Sequence, residues 1–239
     1  MRRILILQKE DEAPPALIGE YLRDAGLKVD LRRLHRGDRA PEALDDHAAV
    51  IALGGDMNVG EEEEYPFLVD ERRVLEVALR DAVPVLGICL GAQQLATAAG
   101  GGVARRDKVE IGWYPVGTTQ SDDLLVGIHP STLVFHWRRY YCRLPQDAVA
   151  LAMRDGEPQV FRLGDSAWGV QFHPEIDKRT VMGWLAGDPQ AADAAWPQGL
   201  KKLKKFTKRE LYRSALTCGL IMINFLEASG ARQRARGEE

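Results

Sequence analysis

Three side chains have types and surroundings that suit nucleophilic catalysis, and Cys89 is the first of them. It follows an apolar run at residues 83–88 and precedes a segment with helical spacing, with Gly87 and Gly91 on either side. A sharp strand-to-helix turn exposes a nucleophile at the carboxyl end of a sheet. The positive end of the following helix favours a thiolate over a thiol. Cys89 is therefore predicted to be a nucleophile. From this segment alone, the alternative is that Cys89 is a small apolar residue packed in the core.

The other two side chains, His173 and Glu175, end a second apolar segment at residues 168–175, which is predicted to be a strand. Side chains alternate along a strand, so residues two positions apart are expected to face the same side. A carboxylate beside an imidazole fixes its tautomer and stabilises the imidazolium, and the imidazole can accept a proton from a thiol. The pair is therefore predicted to act on Cys89 as a base and its orienting group, rather than to be an ordinary surface pair.

Three ordered motifs together resemble those of one family. They read Ala-Leu-Gly-Gly-Asp at 52–56, Gly-Ile-Cys-Leu-Gly-Ala-Gln at 87–93 and Phe-His-Pro-Glu at 172–175. These motifs are similar to those of the class I glutamine amidotransferases, the family with a Cys-His-Glu triad. The similarity extends from about residue 4 to about residue 185, and it is greatest to stand-alone amidotransferase-like proteins with no fused synthetase.

The resemblance implies a role for each matching residue. Cys89 would attack the side-chain amide of glutamine, His173 would transfer the proton, and Glu175 would orient His173. Backbone N–H groups would hold the oxyanion, and further residues would bind the substrate. The residues implied are Gly55 and Leu90 for the oxyanion, and Gln93, Gly54, His136 and Trp137 for substrate binding.

One segment departs from the family's pattern. Many relatives carry His-Gly-Asp where this chain has Arg138, Arg139 and Tyr140, directly after the retained His136 and Trp137. The family places this segment beside the glutamine site. Two arginines there could bind a carboxylate through paired N–H donors, which would favour a substrate other than free glutamine. A surface hairpin with tolerated variation is the alternative interpretation.

Three functions follow as hypotheses. The first is a glutamine amidotransferase that hydrolyses L-glutamine through a Cys thioester and passes ammonia to an acceptor or to a partner synthetase. The second is a stand-alone hydrolase of γ-glutamyl amides or conjugates with the same triad. The third is a non-catalytic binding module, which the intact set Cys89, His173 and Glu175 argues against. The sequence leaves the acceptor, the true substrate and the oligomeric state open.

The elements that must position these residues alternate between strands and helices. Short apolar strands are predicted near residues 4–7, 29–31, 49–53 and 83–88. Between them a helix is predicted that Pro14 and Pro15 open and Gly26 ends, and a second helix at 68–79. Such alternation predicts an α/β fold with a doubly wound, mostly parallel sheet and flanking helices. Residues 103–170 are expected to form β-hairpins. The resemblance implies the flavodoxin-like architecture of class I amidotransferases.

The carboxyl-terminal segment has a different composition. Residues 1–188 are predicted to form the amidotransferase-like domain, and residues 189–239 a linker near 191–197, an apolar helix at 210–227 and a disordered tail from Gly230. The helix is expected to pack on the domain or on a partner, which includes a second copy of this chain. A membrane-surface role is disfavoured because the helix lacks a clean polar face.

Bulk properties exclude several classes of protein. The 239 residues carry a formal net charge of −3, so nothing global indicates a nucleic-acid partner. The three cysteines show no disulfide pattern, and no segment has the roughly 20 apolar residues of a membrane span. The sequence therefore predicts a cytoplasmic enzyme for a small-molecule substrate. No cofactor is implied, and no metal-ligand spacing or phosphate-binding loop is found.

Overall fold

The computed structural model describes residues 2–237, which form a central sheet, a separate two-stranded ribbon and seven α-helices. The strands are β1 (Arg3–Gln8), β2 (Val29–Arg33), β3 (His47–Ala52), β4 (Val85–Ile88), β5 (Gly102–Pro115), β6 (Leu133–Arg143), β7 (Val149–Arg154), β8 (Glu157–Leu163) and β9 (Ala167–Val170). The helices are α1 (Ala16–Asp24), α2 (Phe67–Arg80), α3 (Leu90–Ala98), α4 (Lys178–Gly187), α5 (Pro189–Ala195), α6 (Gly199–Ala228) and α7 (Ala231–Arg236).

The central sheet has the order β2-β1-β3-β4-β9-β8-β7. Strands β2, β1, β3, β4 and β9 are parallel, and β8 and β7 extend the sheet in antiparallel pairing. Helices α1 and α2 make the crossovers that parallel neighbours require. This arrangement confirms the predicted α/β fold with a mostly parallel, doubly wound sheet. Strand β4, which leads to Cys89, lies in the middle of the sheet.

Side chains of the buried strands alternate between two hydrophobic layers. Ile4 and Ile6 of β1 point into a layer shared with α1, α6 and α7, whereas Leu5 and Leu7 point into a layer shared with α2 and α3. All four side chains are fully buried. Both faces of the sheet are therefore covered by helices, which explains why β1 reads as a continuous apolar run.

Strands β5 and β6 pair antiparallel in their own ribbon, with Gly112 opposite His136. The ribbon and the β7–β8 hairpin confirm the predicted hairpin region. A third apolar cluster lies between the ribbon and helices α4, α5 and α6, and it includes Trp113, Phe135 and Leu203. The ribbon is thus packed against the domain on the side of the catalytic candidates.

The structure corrects part of the prediction for residues 189–239. The predicted linker overlaps helix α5, whose first turn is capped by Asp188 accepting from the N–H of Ala191 at 2.9 Å. Helix α6 begins at residue 199, well before the predicted start at 210. The predicted disordered tail contains α7. Short helices stabilised by packing have little periodicity of their own, so the sequence does not reveal them.

The extension packs onto the rest of the chain. The indole of Trp168 on β9 meets Phe225 on α6 edge to face, with ring centroids 6.0 Å apart. The indole N–H of Trp113 donates to the Thr207 hydroxyl at 2.9 Å. None of the helices among residues 2–237 is both long and apolar enough to cross a membrane.

Candidate active site

Cys89 occupies a strained turn between β4 and α3. Its φ of 49° and ψ of −108° lie in a region that non-glycine residues rarely adopt. Its backbone N–H donates to the carbonyl of Val170 on the neighbouring strand β9, at 2.9 Å. Strain of this kind is typical of nucleophile elbows and persists only where surrounding structure enforces it.

Two glycines allow the elbow to pack this tightly. A Cβ on Gly87 would lie 2.7 Å from the carbonyl oxygen of Gly91, and a Cβ on Gly91 would overlap the backbone carbonyl of Ala52 on β3. Glycine is therefore required at both positions by the close approach of backbone to backbone.

Replacement of Gly91 by alanine is expected to destabilise the protein by about 1–3 kcal/mol, or more if β3 cannot move, because the new methyl group meets the Ala52 carbonyl. The matched control is Gly219→Ala in α6, where a Cβ meets nothing within 4 Å. That control should leave stability unchanged or raise it by up to about 1 kcal/mol. Urea unfolding of both variants measures the difference, and equal stabilities would show that the elbow tolerates a side chain.

His173 and Glu175 contact each other, but not for the reason that strand alternation gives. Strand β9 ends at Val170, so the predicted strand to residue 175 is too long. Pro174, which has no N–H for a ladder, follows His173 directly. The two side chains meet beyond the strand, with His173 Nδ1 2.7 Å from Glu175 Oε1, and both are buried.

The backbone and the ring of His173 both contact neighbouring segments. Its backbone N–H donates to the carbonyl of Phe135 at 2.8 Å. The ring packs edge to face on Trp184, with centroids 4.8 Å apart. A Cβ on Gly54 would lie 2.9 Å from His173 Cε1 and 3.6 Å from the Cβ of Cys89. Gly54 therefore leaves room for the cysteine and the histidine on the same side of its backbone.

The charges around His173 favour its protonated form. Burial disfavours the imidazolium, but the charges of Glu175 and Cys89, and the hydrogen bonds to both, hold the pKa of His173 well above its ordinary value. The site therefore favours a protonated imidazole beside Cys89.

A small cavity of about 60 Å³ lies at Cys89. Gly55, Leu90 and Gln93 line it, as does Trp137, whose carbonyl lies 3.7 Å from Cys89 Sγ. Leu90 begins α3, so its N–H is among those without an acceptor inside the helix. The two residues predicted for the oxyanion thus face one cavity together with the predicted nucleophile.

The residues predicted to bind substrate separate into two groups. Gln93 lines the small cavity, and its amide nitrogen donates to the Tyr140 carbonyl at 3.3 Å. Trp137 also lines it, and Gly54 lies against the catalytic candidates. His136 is fully buried, with its ring against Tyr114 and Phe172, and it lines neither cavity.

Arg138 does not present its guanidinium to a substrate. Its Nε donates to Glu110 at 2.7 Å and its Nη2 to Glu157 at 2.8 Å, and only 3% of the residue is exposed. Arg106 and Arg154 join the same buried network. The predicted pair of substrate-binding arginines is therefore wrong for Arg138, because Glu110 lies directly opposite it on β5. Arg138 still lines the small cavity, with its guanidinium engaged by the two carboxylates, whereas Arg139 lines both cavities.

A cleft of about 1080 Å³ adjoins the small cavity. Gly55, Asp56, Trp137 and Arg139 line both. Glu10 and Asp56 lie together in the cleft, where the N–H of Asp56 donates to Glu10 at 3.2 Å. Burial and the charge of Asp56 raise the pKa of Glu10 to about 7.

The raised pKa of Glu10 predicts a pH-dependent stability. Because the folded state holds this proton more tightly than the unfolded state, stability should fall as pH rises from about 4.5 to about 7. Glu10→Gln removes the charge, so the variant should exceed wild type in unfolding free energy by about 1–3 kcal/mol at pH 8 and match it near pH 4. Urea unfolding at both pH values measures this. The control is Glu63→Gln, an exposed carboxylate, and a gain that is equal at both pH values would contradict the prediction.

Trp184 and Lys9 are site residues that the sequence analysis missed. Trp184 lies on α4, where its ring contacts His173 and lines the cleft. Lys9 is fully buried beneath the loop of Gly55. Among residues 2–237, no group of three or more His, Cys, Asp or Glu side chains could hold a metal ion.

Comparison with known proteins identifies the family. The family model described as glutamine amidotransferase class-I matches residues 16–182. The glutamine amidotransferase-like protein YfeJ of Salmonella typhimurium is 29% identical over 187 residues, which are 74% of this chain and 78% of YfeJ. The glutamine-hydrolysing GMP synthase of Porphyromonas gingivalis is 34% identical over 145 residues, which are 58% of this chain but only 27% of that synthase.

A solved structure agrees with these sequences. The crystal structure of a glutamine amidotransferase from Thermotoga maritima is 28% identical, has a TM-score of 0.84, and the match covers 95% of this chain and 98% of that one. The family match spans the elbow and the His173–Glu175 pair, and the structural match covers the sheet that positions them. This chain belongs to the class I glutamine amidotransferase family.

Proposed function

We propose that this protein hydrolyses the side-chain amide of L-glutamine with Cys89, His173 and Glu175 as its catalytic triad. The observation that carries the proposal is the strained Cys89 elbow facing the buried His173–Glu175 pair across Gly54. A non-catalytic binding module would have no need for this strain, nor for a buried carboxylate beside a buried imidazole.

In the proposed reaction, Cys89 Sγ attacks the amide carbon and its thiol proton resides on His173. A C–S bond forms, and the carbonyl electron pair moves to an oxygen that the N–H groups of Gly55 and Leu90 stabilise. His173 then gives the proton to the nitrogen, the C–N bond breaks, and ammonia leaves a glutamyl thioester. Water, deprotonated by His173, attacks the thioester, and glutamate is released as the proton returns to Cys89.

The proposed recipient of the ammonia is an acceptor or a synthetase. The glutamine-hydrolysing GMP synthase of Porphyromonas gingivalis is a relative of this chain, and the matched segment is 27% of its length. A cytoplasmic location, a domain boundary near residue 188 and a homo-oligomer formed through α6 remain predictions of the sequence.

The test is the release of glutamate and ammonia from L-glutamine by the purified protein. We expect equal amounts of both products, and loss of activity after alkylation by a chloroketone analogue of glutamine that modifies Cys89. L-asparagine, which is one methylene shorter, is the control substrate. If glutamine is not hydrolysed while Cys89 is still alkylated, the proposal of a glutaminase is wrong.

The cleft favours a second candidate function, the hydrolysis of γ-glutamyl amides or conjugates. The small cavity of about 60 Å³ shares lining residues with a cleft of about 1080 Å³, which has room for a leaving group larger than ammonia. Release of amine from a panel of γ-glutamyl amides separates the candidates. Faster release from a larger amide than from glutamine would favour this second function.

A further inference from the structure

Lys9 forms a buried ion pair that the catalytic triad does not explain. It directly follows β1, and its side chain and that of Glu71 on α2 are both 0% exposed. The ammonium nitrogen lies 2.5 Å from Glu71 Oε1. A fully buried lysine is uncommon in proteins and is normally paired. Solvation at the surface cannot explain why the chain carries these two charged side chains, because both are buried.

The second contact of Lys9 connects the pair to the proposed oxyanion loop. Lys9 Nζ donates to the carbonyl of Leu53 at 2.5 Å, one residue before Gly54. The N–H of Leu53 donates to the carbonyl of Leu7 at 3.1 Å, so Leu53 is bound through both backbone groups. The stem of Lys9 also packs beneath Gly55, where an added Cβ would lie 3.3 Å from the Cβ of Lys9.

The energetics favour a role beyond stability. Replacing a buried ion pair by apolar residues of similar volume is often neutral or stabilising, whereas removing one partner alone is costly. If the pair served stability alone, two apolar residues could replace it. Two apolar residues would not, however, supply the charged donor that Lys9 gives to the Leu53 carbonyl, and a charge-assisted hydrogen bond fixes that carbonyl more firmly than a neutral one.

We propose that Lys9, itself held by Glu71, is a positioning residue that fixes the Leu53–Gly54–Gly55 backbone so that the Gly55 N–H faces the cavity at Cys89. The proposal rests on the proposed function, because it assigns the loop to the oxyanion. Lys9 acts through the backbone of its neighbours and does not touch the substrate. An oxyanion donor is effective only when it is held where the charge develops.

The test is the double variant Lys9→Met/Glu71→Leu, which removes both charges and keeps most of the volume. We expect kcat for the faster of the two substrate classes to fall at least tenfold while KM changes little, and the alkylation rate of Cys89 to stay near that of wild type. An aldehyde analogue of glutamine, which forms a tetrahedral adduct with its oxygen in the same cavity, should bind at least tenfold more weakly. Unchanged kcat and unchanged aldehyde affinity would overturn the proposal.

Amide hydrogen exchange gives a readout that needs no activity. The segment 53–57 should exchange faster in the double variant, whereas a control, Thr207→Val, removes a buried hydrogen bond elsewhere and should leave it unchanged. If the double variant does not fold, Lys9→Met alone replaces it, with the same expected directions. It removes the donor to the Leu53 carbonyl, and burial, which raises the pKa of Glu71, allows that carboxyl to take up a proton. If wild type hydrolyses neither substrate class, the proposed function fails, and unchanged exchange in segment 53–57 would then overturn the role of Lys9 separately.

Discussion

Replacement of Cys89 by alanine is expected to lower kcat by about 10⁴- to 10⁶-fold, to the level left by binding alone. Among the described residues, Cys89 is the sole thiol lining the cavity where the proposed oxyanion donors Gly55 and Leu90 lie. Without the sulfur no thioester can form, so both steps of the reaction are lost. The measurement is glutamate release under conditions that saturate wild type, together with mass detection of the thioester in wild type during turnover.

The variant should keep its fold, because alanine retains the Cβ and removes one atom from a buried site. The chain also offers a matched control in Cys142, a second buried thiol whose Sγ donates to Gln171 at 3.4 Å. Burial raises the pKa of the Cys142 thiol, which keeps it protonated. Cys142→Ala should therefore retain most of the activity. If Cys89→Ala is active while Cys142→Ala is not, the assignment of the nucleophile is wrong.

Replacement of Glu175 by glutamine is expected to lower kcat by about 10³- to 10⁴-fold. The carboxylate accepts from His173 Nδ1 at 2.7 Å and thereby fixes which ring nitrogen faces Cys89. A glutamine of the same shape can instead donate to that nitrogen and stabilise the wrong tautomer, a change with an effect of this size in other triads. The measurement is kcat for the best substrate, with Glu12→Gln in the adjoining cleft as a control that should retain activity.

The same substitution should change stability in a pH-dependent manner. His173 is buried, yet the charges of Glu175 and Cys89 hold its pKa well above its ordinary value. A raised folded-state pKa stabilises the protein fully below the unfolded-state pKa, about 6.5, and this contribution is lost as pH rises through the folded-state value. The stability lost in Glu175→Gln should therefore be largest near pH 6 and should shrink as pH rises. Urea unfolding of both proteins from about pH 6 into the alkaline range measures it, and a loss that grows with pH would contradict this account.

Local features of the sequence were enough to predict the catalytic candidates and the sheet. The strand, turn and helix around Cys89 follow from an apolar run and two glycines within nine residues, and such short-range signals survive in any tertiary context. The alternation of strands and helices likewise predicts a parallel sheet, because parallel neighbours need crossovers. The fold and the family are confirmed, while the roles of the individual site residues remain predictions.

The sequence did not reveal the strand register of residues 138–140, the segment that departs from the family's pattern. Arg138 and Arg139 read alike along the chain, but antiparallel pairing places Arg138 opposite Glu110 and within a buried ion-pair network, whereas Arg139 lines the cleft. A shift of one residue would exchange the faces of the two side chains. His136 is buried for the same reason.

The sequence by itself determined the family, the parallel sheet and the candidates for nucleophile, base and orienting group, because each depends on short motifs whose residues are close together in the chain. Only the tertiary structure decided what surrounds them. The contact of Trp184 with His173 and that of Lys9 with Glu71 and the Leu53 carbonyl join residues from separate elements. Such contacts arise from tertiary packing, which in the case of Lys9 joins residues 44 and 62 positions apart, and no local pattern encodes them.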